Sequence, residues 1–171
     1  MLRWRPRTLA GQAVALQLAV VLVIVVSAAA LALLDARFDG LRAARDQVRS
    51  VAVIIADAPS PARALESPDP STSLQPVTEE IRPVTGVSFI TIMNTAGVRY
   101  THTTPSLIGQ RYLRSTSQAL RGEVYTETYT GTLGPSIRSI APVRNGNGVI
   151  VGMVAAGITQ ATLTDEWLEQ M

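Results

Sequence analysis

From Thr8 to Leu34 the chain carries no charged side chain, and Gly11 to Leu34 reads GQAVALQLAVVLVIVVSAAALALL. As a helix this run would span roughly 36 Å at 1.5 Å per residue, enough for a bilayer core of about 30 Å. Arg3, Arg5 and Arg7 precede it. The positive-inside rule therefore puts Met1 in the cytoplasm and everything from Asp35 onward outside. A cleaved signal peptide is the competing reading, because Ala28 to Ala30 resemble a small-residue cleavage region. The run is longer than the roughly 7–15 residues of a signal h-region, which favours an uncleaved anchor. The expected organisation is a cytoplasmic N-terminus (1–10), a transmembrane helix (11–34) and an extracytoplasmic domain (35–160). Leu163, Trp167, Leu168 and Met171 then begin a further helix over 161–171. The expected location is the inner (cytoplasmic) membrane.

Composition removes several classes of function. The 171 residues include 15 cations, all arginine, against 13 acids, with one histidine and no cysteine. Without cysteine there is no disulfide framework, thiolate metal site or cysteine nucleophile. A lone histidine excludes multi-histidine metal centres. Without the three N-terminal arginines, the rest of the chain is close to neutral. A nucleic-acid binder would carry excess positive charge on its folded domain.

Beyond the apolar run, Phe38, Leu41, Ala44, Val48, Val51 and Ile55 recur at three- and four-residue steps. They predict an amphipathic helix from Asp35 to Asp57, continuous with the membrane span. It is either an ordinary core-facing helix or one that carries motion into the membrane, and periodicity does not separate the two. Pro59, Pro61, Pro68 and Pro70 predict a loop over Ala58 to Ser73 with at most one helical turn. Leu74, Val77 and Ile81 predict a short helix ending near Pro83 and Gly86. Strands are then expected at Val87–Met93, Val98–Thr101, Val124–Thr130, Ser136–Val143 and Val149–Ile158. A short helix is expected around Ala119-Leu120, and Asn145 to Gly148 reads as a hairpin turn. Helices followed by about five mostly antiparallel strands predict an α+β domain with one sheet.

No G-x-S-x-G elbow, Walker loop or G-x-G-x-x-G accompanies these elements, so neither a hydrolase nor a nucleotide-binding core is expected. The chain contains no catalytic core. The informative stretches are Arg99-Tyr100-Thr101-His102, Ile108-Gly109-Gln110-Arg111-Tyr112 and Gly131-Thr132-Leu133-Gly134-Pro135-Ser136-Ile137-Arg138. They put two arginines, the histidine and several hydroxyls at strand ends and turns. A guanidinium fork matches a carboxylate, and a histidine adds a donor. Any single arginine here could equally be a solvated surface charge. On a strand, Arg99 and His102 would face opposite sides, so they converge only if the strand ends before Pro105 and His102 turns inward.

Taken together, R-Y-T-H, the spacing on to Tyr112, G-T-L-G-P-S-I-R and G-M-V-A-A-G-I resemble the extracytoplasmic PAS-like (single Cache) sensor domain of CitA/DcuS-type histidine kinases. Those proteins sense citrate and C4-dicarboxylates. The resemblance covers nearly all of residues 8–160, including Leu9-Ala10-Gly11-Gln12. It implies that Arg99 and His102 bind a ligand carboxylate and that Arg138 is the second cationic clamp. Thr91, Thr101, Thr132, Leu133 and Tyr112 would complete the ligand site. It also implies a homodimer, a second membrane segment beyond residue 171, and a cognate response regulator reached through cytoplasmic parts. No cofactor, metal or nucleic acid is implied. Citrate-binding members carry a lysine where this chain has Ile140, and a small or hydroxyl residue late in the last strand is Ala155. Both departures favour a C4-dicarboxylate over citrate. The same input module on a chemoreceptor or cyclase, and an anchored or secreted binding domain without output, remain alternatives.

Overall fold

The computed structural model describes residues 9–112, 115–131 and 133–159. The chain divides into two units, one ending at Arg42 and the other beginning at Ala43. Helix α1, Leu9–Asp57, supplies all described residues of the first unit. Its side chains are exposed throughout from Leu16 to Asp35. By length and composition it can cross a membrane. A helical stretch that is apolar and exposed on every side is suited to lipid.

The second unit is a four-stranded antiparallel sheet with three helices on one face and a single-turn helix on the other. From Ala44 the stripe predicted for α1 turns into the core. Ala44, Val48, Val51 and Ile55 are buried, and Ala52 and Ala56 join them, whereas Leu41 is exposed. The side chain of Phe38 lies outside the described residues. The core-facing reading of this segment therefore holds from Ala44 onward. Gln47 Nε2 donates to Thr85 O at 2.7 Å, tying α1 to the end of α3 (Pro70–Thr85).

The proline-rich stretch differs from its expectation. It holds a two-turn helix α2, Pro59–Leu65, and α3 already begins at Pro70. Proline suits the first turn of a helix, where its missing N–H has no intrahelical partner. Ala58, held extended ahead of Pro59, separates α1 from α2. Asp69 caps α3 by accepting from Thr72 N and from the Thr72 hydroxyl. Gly86 closes α3 at a φ of 65°, a left-handed conformation that favours glycine.

The strands are β1 (Phe89–Asn94), β2 (Tyr125–Gly131), β3 (Gly134–Arg144) and β4 (Ile150–Thr159), in spatial order β1-β4-β3-β2. A short helix α4, Ser117–Leu120, precedes β2. Alternation gives the sheet two different faces. Ile90, Ile92, Ile137, Ala141, Val154, Ala156 and Ile158 pack with α1 to α3. Met93, Ile140, Met153 and Ala155 form a smaller apolar cluster with Ala119, Tyr112 and Tyr125 on the other side.

The fifth expected strand, Val98–Thr101, is absent as a strand. Only the isolated bridges Met93↔Arg99 and Val98↔Arg111 form there. The Thr101 hydroxyl accepts from Ile92 N at 2.8 Å and donates to Ile90 O at 3.2 Å. A side chain thus takes two β1 edge groups, while Ile92 O still accepts from the backbone N–H of Tyr100 and of Thr101. The backbone of Arg99 pairs instead with Gln110 O and Gly109 N.

Candidate functional site

A cleft opens on the sheet face opposite the long helix, enclosing about 370 Å³ of free space with its mouth included. Phe89 and Thr91 of β1 line one side, and Ser136 and Arg138 of β3 another. Arg99, His102 and Tyr112 come from the segment that leaves β1, and Tyr129 from β2. Leu133 and Gly134 close the hairpin end. The sequence-predicted residues Arg99, His102, Arg138, Thr91, Tyr112 and Leu133 therefore meet in one place. Thr132 lies outside the described residues. Thr101 is a departure: fully buried and bonded to the β1 backbone, it is not among the lining residues.

Early loss of strand pairing lets Arg99 and His102 converge. His102 is held by α3: Gln75 Oε1 accepts from His102 N at 2.9 Å, and Gln75 Nε2 donates to His102 O at 3.0 Å. Thr104 N donates to His102 Nδ1 at 2.8 Å. An Nδ1 that accepts must be unprotonated, so the neutral ring carries its proton on Nε2 and is a donor there. Burial, reinforced by the Arg99 charge, pushes the imidazole pKa down, with Glu79 opposing.

Both arginines are buried, at 3% exposure for Arg99 and 2% for Arg138. Burial lowers the Arg99 pKa, with Tyr112 and Tyr129 opposing, but a guanidinium remains charged. Arg138 lies over two rings, 3.7 Å from the Tyr129 centroid and 4.9 Å from that of Tyr112. Arg99 lies 5.5 Å from the Tyr112 centroid. Such cation–π contacts fix the guanidinium planes and leave their edges for anions. Arg138 also makes an ion pair absent from the sequence reading, to Glu127 Oε1 from Nε at 3.1 Å and from Nη2 at 2.7 Å. Counting back from the Gly131↔Gly134 pair of the hairpin places Glu127 opposite Arg138, so the register carried the signal.

Among the described residues, Arg99 Nε and Tyr112 Oη are buried side-chain atoms without a hydrogen-bond partner. Burial also raises the Tyr112 pKa, which keeps its hydroxyl protonated as a donor. Two buried donors without acceptors are costly unless something supplies oxygen atoms. Ile140 and Ala155 belong to the apolar cluster, and both are fully buried. Phe89, Tyr129, Gly134 and Ser136 complete the lining; Gly134 and Ser136 belong to the G-T-L-G-P-S-I-R stretch, whereas Phe89 and Tyr129 lie outside the informative stretches. Phe89 fits because its register partner is Gly157, where a Cβ would collide with the Phe89 ring.

Among known proteins, the family profile described as Single cache domain 3 matches residues 37–171. Sensor protein CitS of Halalkalibacterium halodurans is 39% identical over 114 residues, 66% of this chain and 21% of that protein. Sensor histidine kinase DcuS of Escherichia coli K12 is 27% identical over 133 residues, 77% of this chain and 24% of that protein. The chain thus spans about a fifth to a quarter of the length of these relatives. The crystal structure of the E. coli DcuS sensor domain has the same fold, with a TM-score of 0.68 at 24% identity. It covers 74% of this chain and 96% of that one. The sensory domain of the membraneous two-component fumarate sensor DcuS matches with a TM-score of 0.53 at 25% identity. That match covers 80% of this chain and 99% of the other.

Proposed function

The chain belongs to the single Cache domain 3 family, and from that premise we propose that it is the sensory region of a membrane-bound two-component sensor kinase. In this reading residues 11–34 anchor the chain, residues 35–160 lie outside the membrane, and the pocket binds a small carboxylate. The observation that carries it is the meeting in a single cleft of Arg99 and His102, from the segment after β1, with Arg138 of β3, both guanidiniums being buried and Arg99 having an unpartnered Nε. The fork of Arg99 and the Nε2–H of His102 grip one carboxylate, and Arg138 receives the second. Thr91, Tyr112 and Leu133 surround them. A C4-dicarboxylate is favoured over citrate because Ile140 and Ala155 provide no polar partner for a third carboxylate. The E. coli relative described as a fumarate sensor points the same way.

Signal output requires that ligand bind one conformation better than another. A micromolar ligand binds with about 8 kcal/mol, of which a few suffice to shift a two-state equilibrium. Closure of the sheet around the ligand would pull on the chain after β4 and on a second membrane segment. A homodimer, with a response regulator downstream, completes the proposal. The test is thermal unfolding of the 171-residue chain in detergent micelles with succinate, malate, fumarate or citrate. The C4 acids are expected to raise the midpoint in a concentration-dependent way. A chain that none of the four stabilises would overturn the assignment.

A further inference from the structure

We propose that Glu127 determines specificity: it is a resident carboxylate that limits how much negative charge the pocket accepts. This inference rests on the carboxylate-sensing reading given above and adds a residue that acts against ligands as well as those that attract them.

Glu127 and Arg138 are direct partners across the β2–β3 pair. Both the Nε and the Nη2 of Arg138 donate to Glu127 Oε1. That edge of the guanidinium is one of the two on which it can grip a carboxylate. The Tyr129 and Tyr112 rings also lie against the guanidinium. An incoming anion must therefore share Arg138 with a negative charge already in place. The Arg138 side chain is 3% exposed and that of Glu127 26%, so water screens this charge only in part.

Charge counting then gives the consequence. Arg99 and Arg138 line the cleft, and Glu127 sets a negative charge against Arg138, so it offsets part of the attraction that the two guanidiniums exert. Every ligand carboxylate is attracted by the same two guanidiniums but also repelled by Glu127. Repulsion grows in proportion to ligand charge, so Glu127 weighs most against a tricarboxylate, less against a dicarboxylate and least against a monocarboxylate. The apolar side chains of Ile140 and Ala155 deny a third carboxylate a partner. Glu127 adds a repulsive element to that missing attraction.

The experiment is titration calorimetry of the 171-residue chain in detergent micelles with lactate, succinate and citrate, comparing wild type, Glu127→Gln and Glu127→Asp. Glutamine keeps an oxygen that accepts from Arg138 while removing the charge. Aspartate keeps the charge. Glu127→Gln is expected to tighten citrate about ten-fold or more, succinate by a smaller factor and lactate least, while Glu127→Asp retains the wild-type order. Equal shifts for all three ligands, or loss of all binding in Glu127→Gln, would overturn the inference and make Glu127 a positioning residue for Arg138. Those outcomes leave the sensing reading intact as long as wild type binds succinate. If no variant and no wild-type protein binds any of the three, the sensing reading itself fails, and this inference with it.

Discussion

Gln75 holds His102 by both ends of its backbone, accepting from His102 N at 2.9 Å and donating to His102 O at 3.0 Å. Helix α3 thereby positions an imidazole that lies on no regular element of its own. Gln75→Ala removes both bonds and leaves two partly buried peptide groups to find water. A loss of about 1–3 kcal/mol in stability is expected, with roughly ten-fold weaker dicarboxylate binding although Gln75 does not line the pocket. Denaturant unfolding and calorimetry on the same protein check the two effects.

His102 also sets a pH dependence. Burial and Arg99 depress its folded pKa below the ordinary value near 6.5. The unfolded chain therefore binds the proton more readily, and the ligand-free protein loses stability as pH falls from 6.5 through the depressed value. Above 6.5 this contribution is fully present. Unfolding midpoints of wild type and His102→Gln between pH 8 and 5 should converge or cross as wild type falls more steeply. Parallel curves would remove His102 as the cause.

Gly157 leaves the space that the Phe89 ring occupies beside Arg138, across β4. A methyl group there would meet the ring and come 3.0 Å from Ile137 O. Gly157→Ala is expected to cost about 1–3 kcal/mol, since neither a strand backbone nor a packed ring yields easily. It should also weaken ligand binding, because Phe89 lines the pocket. Phe89→Leu in the same background should restore part of the stability.

Topology is tested separately from binding. A reporter fused after Gln160 should be active only when exported, as Arg3, Arg5 and Arg7 before the apolar run require. Activity confined to the cytoplasm would reverse the orientation.

Much of this was legible in sequence, because period-two and period-3.6 patterns and glycine-bearing turns are local signals. The four strands of the sheet, the turn at Asn145 and the core stripe from Ala44 follow from them. The misses share a different origin. Pro59 and Pro70 read as breakers, but each stands at the first turn of a helix, where proline fits. Val98 to Thr101 has strand composition, yet the Thr101 hydroxyl bonds the β1 backbone and ends the pairing. The resemblance puts Thr101 at the ligand, whereas its buried hydroxyl bonds Ile92 N and Ile90 O and does not line the cleft. Glu127 was overlooked because its partner is eleven residues away, visible only once hairpin register is counted.

The central claim is that Arg99 and Arg138 together hold a small carboxylate ligand. Its most direct test is titration calorimetry of the 171-residue chain with succinate, comparing wild type with Arg99→Ala, Arg138→Ala and Arg63→Ala. Arg63, on α2, is exposed and away from the cleft lining. Losing one charged hydrogen-bond partner costs about 1.5–3 kcal/mol, or roughly ten- to a hundred-fold in affinity. Arg99→Ala and Arg138→Ala should each weaken succinate by at least that factor, and Arg63→Ala should leave it unchanged. Succinate binding that survives either pocket substitution at wild-type strength would contradict the account.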